Sequence, residues 1–174
     1  MVDLTNRKVL VAFFSHTGEN FSKGNIVELT KGNTHVAAEL IQELCNADLY
    51  EIKSVNPYPY EYKACVEVSK EEIKTNARPE LAEDIDVSAY DVVFVGFPIW
   101  CGTMPMPVWT FLEKHDFTGK VLMPFSTHEG SKMANSEGDV KKLVPNAIIK
   151  DGLPIHGSAV PEAVENIKEW IEKA

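Results

Sequence analysis

The feature that most constrains the fold is a pair of short, almost wholly apolar runs rich in β-branched and aromatic residues. They are residues 8–14 (KVLVAFF) and 91–96 (DVVFVG). Apolar runs of this length without polar alternation are typical of strands that are buried on both faces, as in a parallel sheet. A chain that contains such strands must therefore supply helices to cover both sides of the sheet.

Segments with helical spacing follow the strands along the chain. After the first run, Val36, Leu40, Ile41 and Leu44 recur at intervals of one to four residues, which predicts a helix over 34–44. The same alternation continues, so that five strands are each followed by a helix. The predicted strands are 8–14, 49–55, 91–96, 120–126 and 147–153; the other predicted helices are 60–75, 107–114, one that ends within 139–144, and 161–173.

This order of elements predicts an α/β fold with a doubly wound, five-stranded parallel sheet and helices on both faces. No repeat, low-complexity stretch or linker interrupts residues 1–174, so we expect a single domain. Such sheets bind ligands beyond the carboxyl ends of their strands, where the strand order reverses. The loops that begin at Ser15, Phe97 and Thr127 are therefore the places to look for a site.

Charge and cysteine content exclude several classes of function. The chain has 17 Lys and Arg against 26 Asp and Glu, a net charge of −9, whereas a nucleic-acid partner requires a basic face. Three cysteines without a Cys-x-x-Cys pair argue against a disulfide framework and a thiolate metal site. No apolar run approaches the ~20 residues of a membrane span, and the first residues lack a signal-peptide pattern. We therefore expect a cytoplasmic protein that binds neither nucleic acid nor membrane.

The first loop, residues 15–34, has the composition of an anion-binding site at its two ends. The polar and glycine residues of these ends are Ser15, His16, Thr17, Gly32, Asn33 and Thr34. Backbone N–H groups at a helix N-terminus, with hydroxyls beside them, bind an anion without a cationic side chain. Ordinary turn chemistry with Asn33 or Thr34 as the N-cap explains the same residues equally well. A Walker-type loop and a dinucleotide fingerprint are both excluded by the spacing.

The second and third loops add a flat apolar surface and a polar rim. Residues 97–103 (FPIWCGT) contain Trp100, whose face is of the kind that stacks on a planar ring, although a core position also explains it. Gly102 can adopt either sign of φ. Residues 126–131 (STHEGS) form a small polar turn that becomes a ligand rim only beside the other two loops. For His16 and His128 we expect hydrogen bonds within the loops rather than acid–base catalysis.

Together these loops resemble those of the flavodoxin family, and the resemblance extends over essentially the whole chain. Its most specific pieces are residues 98–100 (PIW) and 127–130 (THEG). It implies a 2-1-3-4-5 sheet order and noncovalently bound FMN, with the phosphate in the first loop and the ring between the second and third. The cofactor-binding residues that it implies are Ser15, His16, Thr17, Gly32, Asn33, Thr34, Pro98, Ile99, Trp100, Cys101, Gly102, Thr127, His128, Glu129 and Gly130.

The chain departs from the family pattern in its first loop, because the compact phosphate loop of the family is interrupted here by residues 19–31. Residues 22–25 (SKGN) are typical of a tight turn, and 26–29 of a short strand, which predicts a β-hairpin insert. Such a hairpin would bring Thr17 and Asn33-Thr34 together as two halves of one phosphate site. The insert is equally well explained as a partner surface or as a neutral elaboration.

The resemblance implies an electron carrier in which the flavin performs the redox chemistry and the protein tunes its potential. Its partners would be redox proteins or a small-molecule acceptor. By the same resemblance, the Cys101-Gly102 peptide is expected to offer a carbonyl to the reduced ring. The alternative on this fold is an NAD(P)H-dependent FMN or quinone reductase. A receiver-type signalling domain is disfavoured, because Phe14-Ser15 and Gly96-Phe97 stand where acidic residues are required.

Overall fold

The secondary structure alternates between strands and helices along the chain. The computed structural model describes residue 4 and residues 6–173. The strands are β1 (Val9–Phe13), β2 (Gly18–Ser22), β3 (Asn25–Leu29), β4 (Asp48–Glu51), β5 (Val92–Pro98), β6 (Val121–His128), β7 (Ile148–Ile149) and β8 (Leu153–His156). The α-helices are α1 (Asn33–Cys45), α2 (Tyr62–Thr75), α3 (Met106–Lys114), α4 (Ser136–Leu143) and α5 (Val164–Lys173), with 3₁₀ segments at Val87–Ala89 and Gly157–Glu162.

The central sheet is parallel and has β4 at one edge, followed by β1, β5 and β6. Beyond β6, both β7 and β8 pair with it, β7 near its start and β8 near its end. The prediction of five strands was wrong here, since the predicted strand at 147–153 is replaced by two short ones. The chain leaves the sheet at Gly152, whose N–H donates to Glu137 Oε1 at 2.8 Å and whose backbone packs against Met133.

Two apolar cores cover the two faces of this sheet. Leu10 and Val93 face a core that includes residues of α3 and α4, whereas Val11 and Phe94 face a core that includes residues of α1 and α5. Successive side chains of a strand point to opposite faces, so both sets must be apolar when both faces are covered. This is why β1, which is buried at all of its positions, shows no polar alternation.

A second, two-stranded sheet is the antiparallel hairpin of β2 and β3, in which Phe21 lies opposite Ile26. Its turn residues Lys23 and Gly24 have φ angles of 49° and 82°, the left-handed values of a type I′ turn. The hairpin occupies the segment of the first loop in which an insert was predicted.

The loops that follow β1, β5 and β6 meet at one edge of the central sheet. The register places Pro98 of β5 beside Thr127 of β6, and Ile99 N–H donates to the Thr127 carbonyl at 3.0 Å. Parallel strands end at the same edge, which makes this the position expected for a ligand in an open α/β sheet. None of the helices within residues 6–173 could span a membrane.

Candidate functional site

A cavity of about 450 Å³ opens at this edge of the sheet. Its volume lies within the roughly 300–1,000 Å³ typical of small-molecule and cofactor sites. Most of the residues predicted for the site line it: Ser15, His16, Asn33, Thr34, Pro98, Ile99, Trp100, Cys101, Thr127, His128, Glu129 and Gly130. The three loops identified in the sequence therefore line a single cavity.

Three predicted residues, Thr17, Gly32 and Gly102, are not in the cavity wall. Gly32 nevertheless has a structural role, because a Cβ built on it would lie 2.2 Å from Ser15 Oγ and 2.5 Å from the His16 carbonyl oxygen. The two ends of the first loop are thus in direct contact, with the hairpin projecting between them. The exposed Thr17 does not share in this contact.

Sequence reasoning missed part of the cavity wall. The additional lining residues are Glu19, Asn20 and Phe21 of the hairpin, Tyr62, Cys65, Val66 and Ser69 of α2, and Ser131 and Gly157. The α2 residues follow the i, i+3, i+4, i+7 spacing of one helix face, a signal that could have identified them. For Gly157 the sequence offered no such signal.

One end of the cavity lies at the N-terminus of α1. The N-cap of this helix is Gly32, which has no capping side chain of its own. The His35 N–H donates to Ser15 Oγ at 3.2 Å and the Val36 N–H to the Gly32 carbonyl at 3.2 Å. Within residues 6–173, the N–H groups of Asn33 and Thr34 have no acceptor. A helix start of this kind, with free donors and a positive dipole end, favours an anion.

Buried hydroxyls and a close backbone approach complete this end. Thr34 Oγ1 and Thr127 Oγ1 lie 2.7 Å apart, and both residues are almost fully buried. A Cβ on Gly157 would lie 2.7 Å from Asn33 Nδ2, so only a glycine fits there without displacing atoms. No lysine or arginine is among the described lining residues, which leaves dipoles and hydroxyls to hold an anion.

The other end of the cavity has an aromatic wall built around Trp100. Its ring is held at steep angles by three others: Phe14 at 5.2 Å and 82°, His16 at 5.6 Å and 74°, and Tyr58 at 5.0 Å and 77° between ring centroids and planes. Edge-to-face packing of this kind fixes the orientation of the indole. The site therefore presents a fixed, flat apolar surface beside the polar end.

Trp100 is followed by a tight turn. Trp100 and Thr103 exchange two backbone hydrogen bonds, of 2.9 and 3.1 Å, and the residues between them, Cys101 and Gly102, have φ angles of 48° and 86°. These are the angles of a type I′ turn. The Gly102 carbonyl accepts the Asn135 N–H at 3.0 Å, whereas the Cys101 carbonyl has no donor in the part of the chain that the structure describes.

A half-buried acid, Glu72, and a buried thiol, Cys65, lie close to the aromatic wall. Tyr58 donates to Glu72 Oε2 at 2.6 Å, and burial together with this carboxylate raises the pKa of Tyr58. Burial also raises the pKa of Glu72. The pKa of Cys65 is raised to about 12, mainly by burial, so its thiol stays protonated at neutral pH and packs rather than reacts.

The two histidines of the site make hydrogen bonds within the loops. His16 Nε2 lies 2.9 Å from the Pro59 carbonyl, and His128 Nδ1 accepts the Gly130 N–H at 2.9 Å. Burial and the neighbouring His156, whose ring centroid is 5.4 Å away, lower the pKa of His128. A neutral His128 is thus required for the bond that shapes the third loop.

Glu129 also lies in the cavity wall, but its carboxylate is bonded to the protein. Oε1 accepts the Ser158 N–H at 2.9 Å and Oε2 accepts the Lys23 N–H at 3.0 Å. Both oxygens therefore have backbone donors, one of them from the turn of the hairpin.

Comparisons with known proteins identify a family and several solved structures that this chain resembles. A family model described as flavodoxin matches residues 8–174. A candidate flavoprotein from Bacteroides eggerthii DSM 20697 is 31% identical, with a TM-score of 0.72 over 94% of this chain and 99% of that one. One from Bacteroides uniformis ATCC 8492 is 28% identical, with a TM-score of 0.73 over 95% and 98%. A flavoprotein from Lactobacillus acidophilus NCFM in complex with FMN shares the fold, at 20% identity and a TM-score of 0.64 over 90% and 97%. A search of curated proteins found no match.

Proposed function

We propose that this chain, which belongs to the flavodoxin family, is an electron-transfer protein with FMN as its cofactor. The observation that carries the proposal is the two-ended cavity. One end offers hydrogen-bond donors to an anion, and the other offers a flat apolar wall to a planar ring. FMN has this combination of a phosphate and a tricyclic ring in one molecule.

The phosphate fits the end of the cavity where α1 begins. The N–H groups of Asn33 and Thr34 supply donors without competing acceptors among the described residues, and Ser15 supplies a hydroxyl beside them. The positive end of the helix dipole adds to the attraction. A phosphate held in this way needs no lysine or arginine, which agrees with the composition of the wall.

The ring fits the end formed by residues 98–101. Trp100, with the apolar Pro98 and Ile99, would exclude water from one part of the ring, and the unpartnered Cys101 carbonyl is available to accept a hydrogen bond from a ring N–H. Bound FMN supplies the one- and two-electron chemistry. The carboxylate of Glu19 and the net charge of −9 would disfavour further negative charge on the ring.

Electron carriage is proposed in preference to direct reduction by NAD(P)H. Hydride transfer needs a nicotinamide stacked on the ring, and residues of β2 and α2 add walls to the cavity that leave less room for one. The electron donor and acceptor would be redox partner proteins or a small-molecule acceptor. The acidic chain would attract basic partners at low ionic strength.

The test begins with protein purified from flavin-replete cells. We expect it to release about one FMN per chain on denaturation; a colourless chain, or one that releases FAD, would contradict the proposal. The FMN-loaded protein is then mixed anaerobically with NADPH and a quinone. Slow NADPH oxidation, with fast electron transfer to a one-electron acceptor such as cytochrome c after chemical reduction, supports a carrier. Fast NADPH oxidation would contradict the electron carrier and support an NAD(P)H-dependent reductase.

A further inference from the structure

The hairpin of β2 and β3 is fastened to the rest of the protein at two places, both by carboxylates. Glu129, in the loop after β6, binds the turn of the hairpin. Glu19, at the start of β2, binds the first turn of α2. Between these two contacts Asn20 and Phe21 form part of the cavity wall. The hairpin therefore spans the cavity from α2 to the loop after β6.

The contact at Glu129 joins three segments that are distant in sequence. Its Oε2 accepts the Lys23 N–H at 3.0 Å, its Oε1 accepts the Ser158 N–H at 2.9 Å, and His156 Nδ1 lies 3.6 Å from Oε1. The Glu129 side chain is only 13% exposed. Hydrogen bonds from N–H groups to a carboxylate are stronger than neutral ones, and more so when water is partly excluded.

The contact at Glu19 closes the other end of β2. Glu19 Oε2 accepts the Tyr62 N–H at 2.9 Å, and the Glu19 N–H donates to the Tyr60 carbonyl at 3.0 Å. Gly18, next to it, approaches Tyr60 so closely that a Cβ would lie 2.9 Å from the Tyr60 carbonyl oxygen. This end is packed by backbone as well as by a side chain, so it is the firmer of the two.

We propose that the hairpin is a strap across the FMN site and that Glu129 is the positioning residue that latches it, so that opening of the strap controls the release of FMN. The inference rests on the proposed function. It assigns to Glu129 a role other than direct contact with the cofactor, for two reasons. Both carboxylate oxygens already have backbone donors, and a carboxylate beside the phosphate would repel it.

The variant that tests the latch is Glu129→Gln. Glutamine has nearly the same shape, but one of its two terminal groups is an NH₂ donor. One of the N–H groups of Lys23 and Ser158 would then face a donor instead of an acceptor. The control is Glu162→Gln, which removes the same charge from an exposed side chain that makes no hydrogen bond or ion pair among the described residues.

The first measurement is hydrogen exchange of the FMN-free protein, which tests the latch without any cofactor. In Glu129→Gln we expect the Lys23 amide, which donates to Glu129 in wild type, to exchange about tenfold faster or more, which corresponds to one lost hydrogen bond to a charged group. The amides of α5 in Glu129→Gln should exchange at the wild-type rate. In the control variant Glu162→Gln, the Lys23 amide should also exchange at the wild-type rate. Equal exchange of the Lys23 amide in Glu129→Gln and wild type would overturn the latch.

The second measurement is the rate of FMN release, followed by the recovery of flavin fluorescence after dilution. We expect Glu129→Gln to release FMN about tenfold faster, while the association rate stays within about threefold of wild type. An unchanged release rate, or a slower association with unchanged hairpin exchange, would overturn the strap and indicate direct contact with FMN. If wild type binds no FMN, the proposed function and the retention role both fail, whereas the exchange rates still decide the latch.

Discussion

The two ends of the cavity both depend on glycines, but for different physical reasons. At the anion end, Gly32 has an ordinary φ of −67° and is required because its neighbours leave no space for a Cβ. At the aromatic end, Gly102 has room for a Cβ but a φ angle of 86° that other residues rarely adopt. Atomic contacts thus define the anion end, and backbone conformation defines the aromatic end.

The difference implies that the two ends respond differently when a glycine is replaced by a residue with a side chain. A side chain at the anion end must displace backbone atoms that also hold the ligand, so binding and stability should fall together. A side chain at the aromatic end strains only its own turn, so stability should fall more than binding. The following variants test this contrast.

Gly32→Ala should have the largest effect. Its Cβ would lie 2.5 Å from the His16 carbonyl oxygen, a backbone atom that can move only with the first loop. We expect FMN affinity to fall by about 100-fold or more and the free energy of unfolding by about 2–3 kcal/mol, as measured by fluorescence titration and urea unfolding.

The matched control is Gly138→Ala within α4, where a Cβ meets nothing within 4 Å. It should raise the free energy of unfolding by about 0.5–1 kcal/mol, because alanine favours the helix. Wild-type FMN affinity in Gly32→Ala would contradict the close packing of the anion end.

Gly157→Ala should have an intermediate effect. The nearest atoms are Asn33 Nδ2 at 2.7 Å and Glu129 Oε1 at 2.9 Å, and both belong to side chains that can turn away. We expect about tenfold weaker FMN binding and a loss of about 1 kcal/mol in the free energy of unfolding. A loss of stability without any loss of affinity would place Gly157 outside the anion end.

Gly102→Ala should affect stability more than binding. The only described atom near its Cβ is Asn135 Nδ2 at 3.8 Å, but the φ of 86° is unfavourable for alanine. We expect a loss of about 1 kcal/mol in urea unfolding and FMN affinity within about threefold of wild type. The reverse change at the neighbouring position, Cys101→Gly, relieves a φ of 48° and should not lower stability. A loss of FMN affinity beyond tenfold in Gly102→Ala would contradict the proposed difference between the two ends of the cavity.

The smallest effect should be a dependence on pH at the third loop. The folded protein lowers the pKa of His128 below its ordinary value of 6.5, so the unfolded chain binds the proton more readily. The contribution of neutral His128 to the free energy of unfolding is therefore complete above pH 6.5. It is lost as the pH falls from 6.5 towards the lower pKa of His128 in the folded protein. Between pH 7.5 and 5.5, the free energy of unfolding measured in urea should fall less for His128→Asn than for wild type. An equal fall in the free energy of unfolding for the two proteins would show that His128 does not cause the pH dependence.

The sequence was sufficient to predict the central strands and the three loops. Both depend on local patterns: β1 and β5 are apolar throughout, and parallel strands bring their carboxyl ends to one edge. The split of the last strand was not predictable, because it depends on the contacts of Gly152 with Glu137 and Met133. The same holds for the reach of the hairpin, since Lys23 and Glu129 are 106 residues apart in the chain.

The central claim is that the start of α1 holds the phosphate of FMN, and the most direct test compares FMN with riboflavin, which lacks the phosphate. Each is titrated into the flavin-free protein, and quenching of flavin fluorescence gives the Kd. We expect FMN to bind about 100-fold more tightly or better, as two hydrogen bonds to a charged group would provide. Equal affinities for the two flavins, or no quenching by either, would contradict the claim.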